Sequence, residues 1–406
     1  MFTANRCDGS SMSLYEKKWT RKELERDRRE YQYSCPECKE KVILRLGYEQ
    51  AWHFAHHANS SCRLQKGETE DHRKGKRLIV EWLKKYNYEP QVEHYLKEIK
   101  QRPDIFVIID GKKYVFEIQR ASIMEESFQK RHENYCKLNI EPIWIGIYSS
   151  INQIDKYTYS TRQLDHLLLR SAPYLHSIYL AVEDPSWYFF THFHYLSRQK
   201  TMALPIKTEF HLPPKELLNF KVKFPMNCDN FHNLFFSKWL RELRQKRQKV
   251  YLKVTPTERK MLRVFQKFHL NLNYFPALGS LPLRKNYHFL TPPQWWQSWL
   301  IIEKINKGSL GERFSVSNIT NALYQMLLSN YFHVRPINLH PKDLIREAVV
   351  EYFDALCLFQ VLEKELNGIY KVKNHINIHK QLDTLCLDDV YVIEKWKGEW
   401  SRELFR

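Results

Sequence analysis

The chain has 406 residues, 43% of them hydrophobic and 27% charged, enough apolar material for two or three domains with cores of their own. Its 64 Lys and Arg against 46 Asp and Glu leave a formal net charge of +18, a balance suited to a polyanion such as DNA. Only 11 glycines occur, with no Walker A loop and no Gly-x-Gly-x-x-Gly, which excludes the usual glycine-rich phosphate-binding folds.

In chain order, residues 1–65 read as a small module. The start is polar and charged, without a signal-peptide core, and a polar helix carrying Trp19 and Leu24 is expected over 14–30. Cys35-x2-Cys38 follows, then an apolar run at 41–46, a turn at 47–50, and Trp52-His53-Phe54-Ala55-His56. A hairpin about that turn returns His56 to the level of Lys41, beside the cysteine pair, with Cys62 six residues on. Cys35, Cys38, His56 and Cys62 therefore suit a closed, structural Cys3His zinc (Zn2+) site. His53 and His57 are reserve ligands, and the simpler alternative is a pair of thiols near surface imidazoles. The other cysteines are isolated, so no disulfide framework is expected and the setting is a reducing one.

Residues 66–150 read as an α-β-β-β-α-β unit. Helix 68–86 shows Ile79, Trp82 and Leu83 at helical spacing, and strands follow at 91–95, 105–109 and 113–119. Helix 122–138 has Ser122 as its expected cap with Glu125 three positions later, and a buried strand at 143–147, carrying Trp144 as core, completes the unit. Residues 151–406 read as a mixed, then mainly helical domain. Aromatic strands are expected at 174–182 and 187–195, and helices at 235–248, 293–306, 317–331 and 342–366. No window reaches the length of a membrane span, and the chain is expected to be cytoplasmic.

The strongest local signal is Asp110-Gly111 between two apolar runs, the signature of a two-residue hairpin turn. Pairing about that turn joins residues whose numbers sum to 221, which sets Asp104 opposite Glu117. Facing Cβ atoms lie roughly 4.5–5.5 Å apart and like charges there repel. A divalent cation held between them reverses that repulsion; the alternative is a solvated strand pair. Gln119 projects from the same face as Glu117. On the preceding helix Glu68, His72 and Lys76 share one face at i, i+4, i+8.

A helical Glu68, Asp104 after Pro103, then Glu117 and Gln119 together resemble the PD-(D/E)XK restriction-endonuclease-like core, with Gln where Lys is usual. More specifically, the chain resembles the competence protein CoiA family. The likeness rests on Cys35-x2-Cys38, His53-Phe54-Ala55-His56, Glu68-x3-His72-x3-Lys76, Arg102-Pro103-Asp104 and Glu117-Ile118-Gln119-Arg120-x-Ser122. It is dense over 35–122 and diffuse elsewhere.

The resemblance implies an αβββαβ mixed-sheet nuclease-like domain between an N-terminal zinc-binding β module and a mostly helical C-terminal domain. It also implies a bacterial protein that promotes recombination of incoming DNA. Glu68, Asp104, Glu117 and Gln119 would be catalytic, with Asp104 and Glu117 holding Mg2+ or Mn2+. His72, Lys76, Arg120 and Arg131 would face single- or double-stranded DNA, and Arg131 with Tyr135 resembles the family's Arg/Tyr pair. Gln can only hydrogen-bond where Lys would carry charge. Either Lys76 supplies that charge, or the fold is a non-catalytic DNA-binding adaptor.

Three further features read as structural. The basic run 241–249 is a solvated helix face, with DNA contact as its alternative. His192 and His194 share a strand face with no matching cluster. Trp295, Trp296 and Trp299 are core; the other reading makes the helical part a docking surface for recombination proteins.

Overall fold

The structure is a computed structural model that describes residues 1–14, 19–36, 38–48, 52–60, 62, 69–222 and 228–403. Glu68 lies outside the described residues. The chain forms two compact units. The first comprises Met1–Ile151, Ser177–Phe189 and Ile206–Lys223, and the second Asn152–His176, Phe190–Pro205 and Phe224–Arg406.

The elements begin with β1 (Thr3–Arg6), β2 (Ser11–Ser13), α1 (Arg21–Glu30), β3 (Tyr33–Ser34), β4 (Lys41–Arg45) and β5 (His53–His56). Next come α2 (Glu70–Lys85), β6 (Gln91–Val92), β7 (Ile105–Ile109), β8 (Lys112–Gln119), α3 (Glu125–Lys137) and β9 (Ile140–Ile147). They are followed by β10 (Asn152–Asp155), β11 (Thr158–Ser160), α4 (Gln163–Leu167), β12 (Ser177–Ala181), β13 (Ser186–Tyr195), β14 (Lys200–Glu209) and α5 (Pro214–Leu218). The remainder is α6 (Asp229–Arg247), α7 (Pro256–Gln266), α8 (Pro293–Leu300), β15 (Arg313–Ser315), α9 (Val316–Leu328), α10 (Pro341–Leu358), β16 (Leu362–Lys364), β17 (Ile369–Val372) and α11 (Leu382–Glu403).

In the first unit the N-terminal strands form a sheet of order β2-β1-β3-β4-β5, packed around Met12, Leu24, Leu44 and Phe54. The helix expected over 14–30 begins only at Arg21. Thr20 accepts from the Glu23 N–H while the Glu23 carboxylate accepts from the Thr20 N–H, a capping box that sets the start. The larger sheet of this unit places β12, β9, β8, β7 and β6 side by side. β7 and β8 are antiparallel, whereas β8 and β9, joined through α3, are parallel, so the observed order α2-β6-β7-β8-α3-β9 is a mixed sheet with a crossover. Apolar residues alternate across it. Ile105, Val107, Phe116 and Ile118 meet Ile79, Trp82 and Leu83 of α2, while Phe106 and Val115 pack with Tyr135 of α3. The expected Ser122 cap of α3 is not formed: residues 122–124 lie outside the helix, and Met124 takes the N-cap position without a side-chain bond.

Close approach demands a glycine at one position of this sheet, and a second glycine, on α2, shows its contact distance. A Cβ on Gly146 of β9 would lie 2.2 Å from the Tyr179 ring. A Cβ on Gly75 of α2 would already touch Ile118 and Ile147 at 3.4 Å, so α2 lies close on the sheet.

The second unit holds strands β10, β11 and the facing halves of β14 and β13, together with α6 to α11 and a small sheet of order β15-β17-β16. Trp295, Trp296 and Trp299 are buried in its core. The helix expected over 342–366 stops at Leu358, because Gln360 turns into the left-handed region (φ +59°) and the chain re-enters as β16. The basic run is the end of α6, and its expected solvation is only partial: Arg247 is fully enclosed, bridging Asp389 at 2.8 Å, and Lys246 donates to Gln294. Among the described residues no helix is long and apolar enough to cross a membrane.

Candidate active site and metal centre

The β7–β8 turn forms as its residues require. Asp110 and Gly111 both take positive φ (49° and 79°), which a two-residue primed turn needs. Its register runs Ile105↔Phe116 through Ile109↔Lys112, each pair summing to 221. Asp104, just before β7, continues that line toward Glu117.

Two sets of cations meet these carboxylates. One Asp104 oxygen accepts from the Ile118 N–H at 2.9 Å; the other lies 3.1 Å from Nε2 of His72 and 3.6 Å from Nζ of Lys76. Burial opposes ionisation of Asp104, but His72, Lys76 and the Ile118 N–H outweigh it and hold its pKa below the ordinary carboxylate range. Glu117 is buried and accepts from both Arg131 and the Tyr135 hydroxyl, a clamp set at i, i+4 on α3. Burial pushes its pKa up, only partly offset by Arg131. The two carboxylates are thus driven apart, one firmly ionised and one held reluctant, the usual condition of groups with different tasks.

His72, Lys76, Asp104, Glu117 and Arg131 come together as the sequence suggests. Gln119 sits beyond them, its amide nitrogen donating to the Ala121 carbonyl at 2.9 Å. Arg120 is partly exposed and pairs with Asp71 at 3.3 Å. Glu93 escaped the sequence reading. It is buried with φ +53°, accepts from Lys76 Nζ at 2.8 Å, and also accepts the backbone N–H groups of Phe2 and Thr3. Nothing local marks it, since its partners lie 17 and about 90 positions away and its own segment reads as an ordinary strand end.

The donors suit a hard cation. Asp104 and Glu117 offer carboxylate oxygens of the kind Mg2+ and Mn2+ take, so the residues fit such an ion, which has to compete with Arg131 for Glu117.

The N-terminal cluster is a clear metal set. Sulfur and nitrogen donors of Cys35, Cys38, His56 and Cys62 all lie within 4.8 Å of one another, and Cys38 Sγ is 3.4 Å from Nε2 of His56. Tetrahedral zinc with ~2.3 Å sulfur bonds needs donors about 3.8 Å apart, so a small closure completes the site. Lys39, at φ 64°, turns the knuckle, and His56 pairs with Val42, one residue from the expected level. His53 and His57 lie outside the cluster. None of the cysteines is disulfide-bonded.

Family comparisons agree along the chain. The model described as "Competence protein CoiA, nuclease-like domain" matches residues 68–220. Those of the CoiA N-terminal and C-terminal domains match 16–65 and 235–385. Competence protein CoiA of Bacillus subtilis (strain 168) is 28% identical over 375 residues, covering 89% of this chain and 95% of that protein. No solved structure matches significantly. With its three regions matched in order by three domains of one family, the chain belongs to the competence protein CoiA family and carries that family's nuclease-like domain.

Proposed function

We propose that this is a PD-(D/E)XK-type, metal-dependent hydrolase of phosphodiester bonds that processes DNA taken up during bacterial transformation, in the cytoplasm and alongside recombination proteins. The observation that carries the reading is Lys76, enclosed in α2 with its ammonium 3.6 Å from Asp104. It stands where it can supply the positive charge that Gln119 lacks.

A divalent ion on Asp104 and Glu117 would acidify a water and offset charge on the scissile phosphate. The chain's own residues do the rest. Lys76 and His72 would keep Asp104 ionised, and the less enclosed His72 would move a proton. Arg131, paired with Glu117, would turn to the DNA backbone were Glu117 to hold the ion. Arg120 and the +18 charge provide salt-sensitive attraction to the strand. Glu68, which lies outside the described residues, keeps the assisting role that the family resemblance gives it.

A second reading has support in the Arg131–Glu117–Tyr135 clamp, which neutralises one carboxylate without a metal. On that reading the groove binds DNA and hydrolyses nothing.

The deciding experiment incubates the full-length protein with single-stranded, duplex and branched DNA, with Mg2+, Mn2+ or EDTA, beside Asp104→Ala and Glu117→Ala. Hydrolysis predicts metal-dependent cleavage that both variants lose while remaining folded. Cleavage untouched by the substitutions removes the assignment. Tight, salt-sensitive binding without turnover in all three proteins makes it the adaptor.

A further inference from the structure

Within the first unit, Glu93, Tyr95 and Arg102 form one wall of a cavity of about 440 Å³, and Thr3, Asn5 and Ser11 of β1 and β2 form the other. That volume lies in the ~300–1,000 Å³ range of small-molecule sites, room for one nucleotide and too little for a duplex. The cavity adjoins the candidate active site. Glu93 shares Lys76 with Asp104, and Arg102 stands two residues before Asp104.

Strand pairing places Arg102 on this wall. Gln91 pairs with Phe106 and Val92 with Ile105. The Glu93 N–H donates to the Asp104 carbonyl at 3.0 Å, and Leu96 bridges to Gln101. Each pair has numbers summing to 197, which sets Tyr95 opposite Arg102. The Arg102 guanidinium accordingly lies 5.7 Å from the centre of the Tyr95 ring, and Tyr95 keeps 43% of its exposure.

Arg102 is a cation without a counter-ion. It makes no ion pair and no hydrogen bond among the described residues. Its Nε and Nη1 are enclosed, so Nη2 is the guanidinium nitrogen that a ligand can reach. Glu93, the one acid among the described residues lining the cavity, does not offset this charge. One of its oxygens accepts from Lys76 Nζ and the Phe2 N–H, and the other from the Phe2 and Thr3 N–H groups. Across the cavity the side chains of Asn5 and Ser11 are also uncommitted among the described residues, an amide and a hydroxyl that can each donate.

These groups narrow the occupant. A metal ion would meet an uncompensated guanidinium and a carboxylate whose oxygens are already engaged. An apolar ligand would leave the guanidinium unmatched, which is costly for a half-buried charge. An anion with several oxygen acceptors satisfies every one of them, and arginine pairs strongly with phosphate through charge-assisted bonds. The open Tyr95 ring beside it offers a face on which a base stacks regardless of sequence.

We propose that this cavity seats one phosphate group of a single DNA strand on Arg102, next to the phosphodiester presented to Asp104, with Tyr95 against the adjoining base. β1 and β2 belong to the same sheet as β4 and β5, so the module that carries the Cys35 cluster supplies one wall of the site. The proposal rests on the reading of the protein as one that handles DNA, and not on hydrolysis. A strand terminus and the interior of a strand offer the same phosphate chemistry.

The test measures binding of labelled eight-nucleotide single strands to the full-length protein by fluorescence anisotropy, over a range of salt and without added divalent cation. The variants are Arg102→Gln and Ser11→Asp, which sets a negative charge on the opposite wall. Lys113→Gln removes one exposed charge near the turn of the β7–β8 hairpin, at its far end from Asp104, and serves as the control. Arg102→Gln is expected to weaken binding fivefold or more and to reduce the slope of log affinity against log salt by about 0.7, the value of one phosphate contact on a single strand. Ser11→Asp should weaken binding similarly, and Lys113→Gln should leave it unchanged. A 5′-phosphorylated strand that binds more tightly than its 5′-hydroxyl form, by a margin that Arg102→Gln abolishes, identifies the terminal phosphate. Equal binding of the two forms, weakened by a single neutral methylphosphonate within the strand, identifies an internal one. DNA binding indifferent to Arg102→Gln, or reduced as much by Lys113→Gln, overturns this proposal alone. No DNA binding by any of the proteins overturns the DNA reading with it. If Arg102→Gln does not fold, Ser11→Asp carries the test: a fivefold loss supports the site and an unchanged affinity ends it.

Discussion

Both units bury charged side chains, and they treat them differently. In the first, Lys76 is fully enclosed yet divided between Glu93 at 2.8 Å and Asp104 at 3.6 Å, while Glu117 takes Arg131 and Tyr135 together. The Asp104 and Arg131 side chains keep 14% and 34% of their exposure. In the second, Arg247 is just as enclosed, but its guanidinium is saturated: both arms of Asp389 at 3.0 and 2.8 Å, and the carbonyls of Asn273 and Phe275. The buried histidines there carry no charge at all. His166, for example, accepts from Arg335 at 2.7 Å and is held neutral by burial. A buried ion alone therefore does not mark a site. Several cations competing for carboxylates, one of them partly open to solvent, do, because such groups can change partners when a ligand arrives.

The largest effect expected anywhere in the chain is loss of a metal such as zinc from the Cys35, Cys38, His56 and Cys62 set of the first unit. Thiolate and imidazole donors bind zinc with an apparent ~10–16 kcal/mol that is also folding free energy, so chelation or Cys38→Ser should unfold the N-terminal module and release one zinc per chain. Metal analysis with circular dichroism checks it. Retained structure after complete removal would show that the apolar cluster around Leu24 and Phe54 suffices.

Next in size is a matched pair. Lys76→Met and Arg247→Met each strand buried carboxylates, and each should cost about 3–5 kcal/mol, read as the shift in a urea midpoint. They should part in function. Lys76→Met loses metal-dependent cleavage, whereas Arg247→Met keeps it per folded molecule. If both behave alike, the contrast between competing and saturated charge is wrong.

Acid should separate the units. His176 and His232 are lowered by burial to about 4, and His166 and His194 lie well below the ordinary value. Their unfolded pKa is about 6.5. Between pH 6.5 and 4 the unfolded chain takes up protons that the folded one refuses, so the stability they contribute is whole above 6.5 and is lost as pH falls toward 4. Asp104, held low by His72 and Lys76, keeps its contribution down to about pH 4, near the unfolded carboxylate value, and loses it only below that. Amide exchange at pH 5 should therefore quicken in β13 and α6 before β7 and β8, with the melting point several degrees below its value at pH 7. Earlier opening of β7 and β8 would contradict this ordering.

The smallest effect sharpens the site itself. Arg131 offsets the burial that raises the Glu117 pKa. Arg131→Gln should move the acid limb of the cleavage pH profile upward, with little change in fold. A limb that stays in place means Glu117 does not govern the rate.

Much of the nuclease-like domain was legible in the chain itself. The Asp110-Gly111 turn fixes its register within eight residues on either side, because a strand alternates with period two and a primed turn admits few residue pairs. Alternation then determines that Asp104 and Glu117 share a line and that α2 offers His72 and Lys76 on one face. The Cys3His set was legible for the same reason, hairpin geometry being local. Only the tertiary structure decided what those groups meet. Glu93 reaches Lys76 through an irregular strand end and the first residues of the chain. Arg247 finds Asp389 across 142 positions. His194 gains His232 through the packing of α6. No periodicity encodes such meetings; they depend on how separately formed elements bury their apolar faces. That packing turned part of an apparently solvated basic run into core and set two stray histidines beside a third.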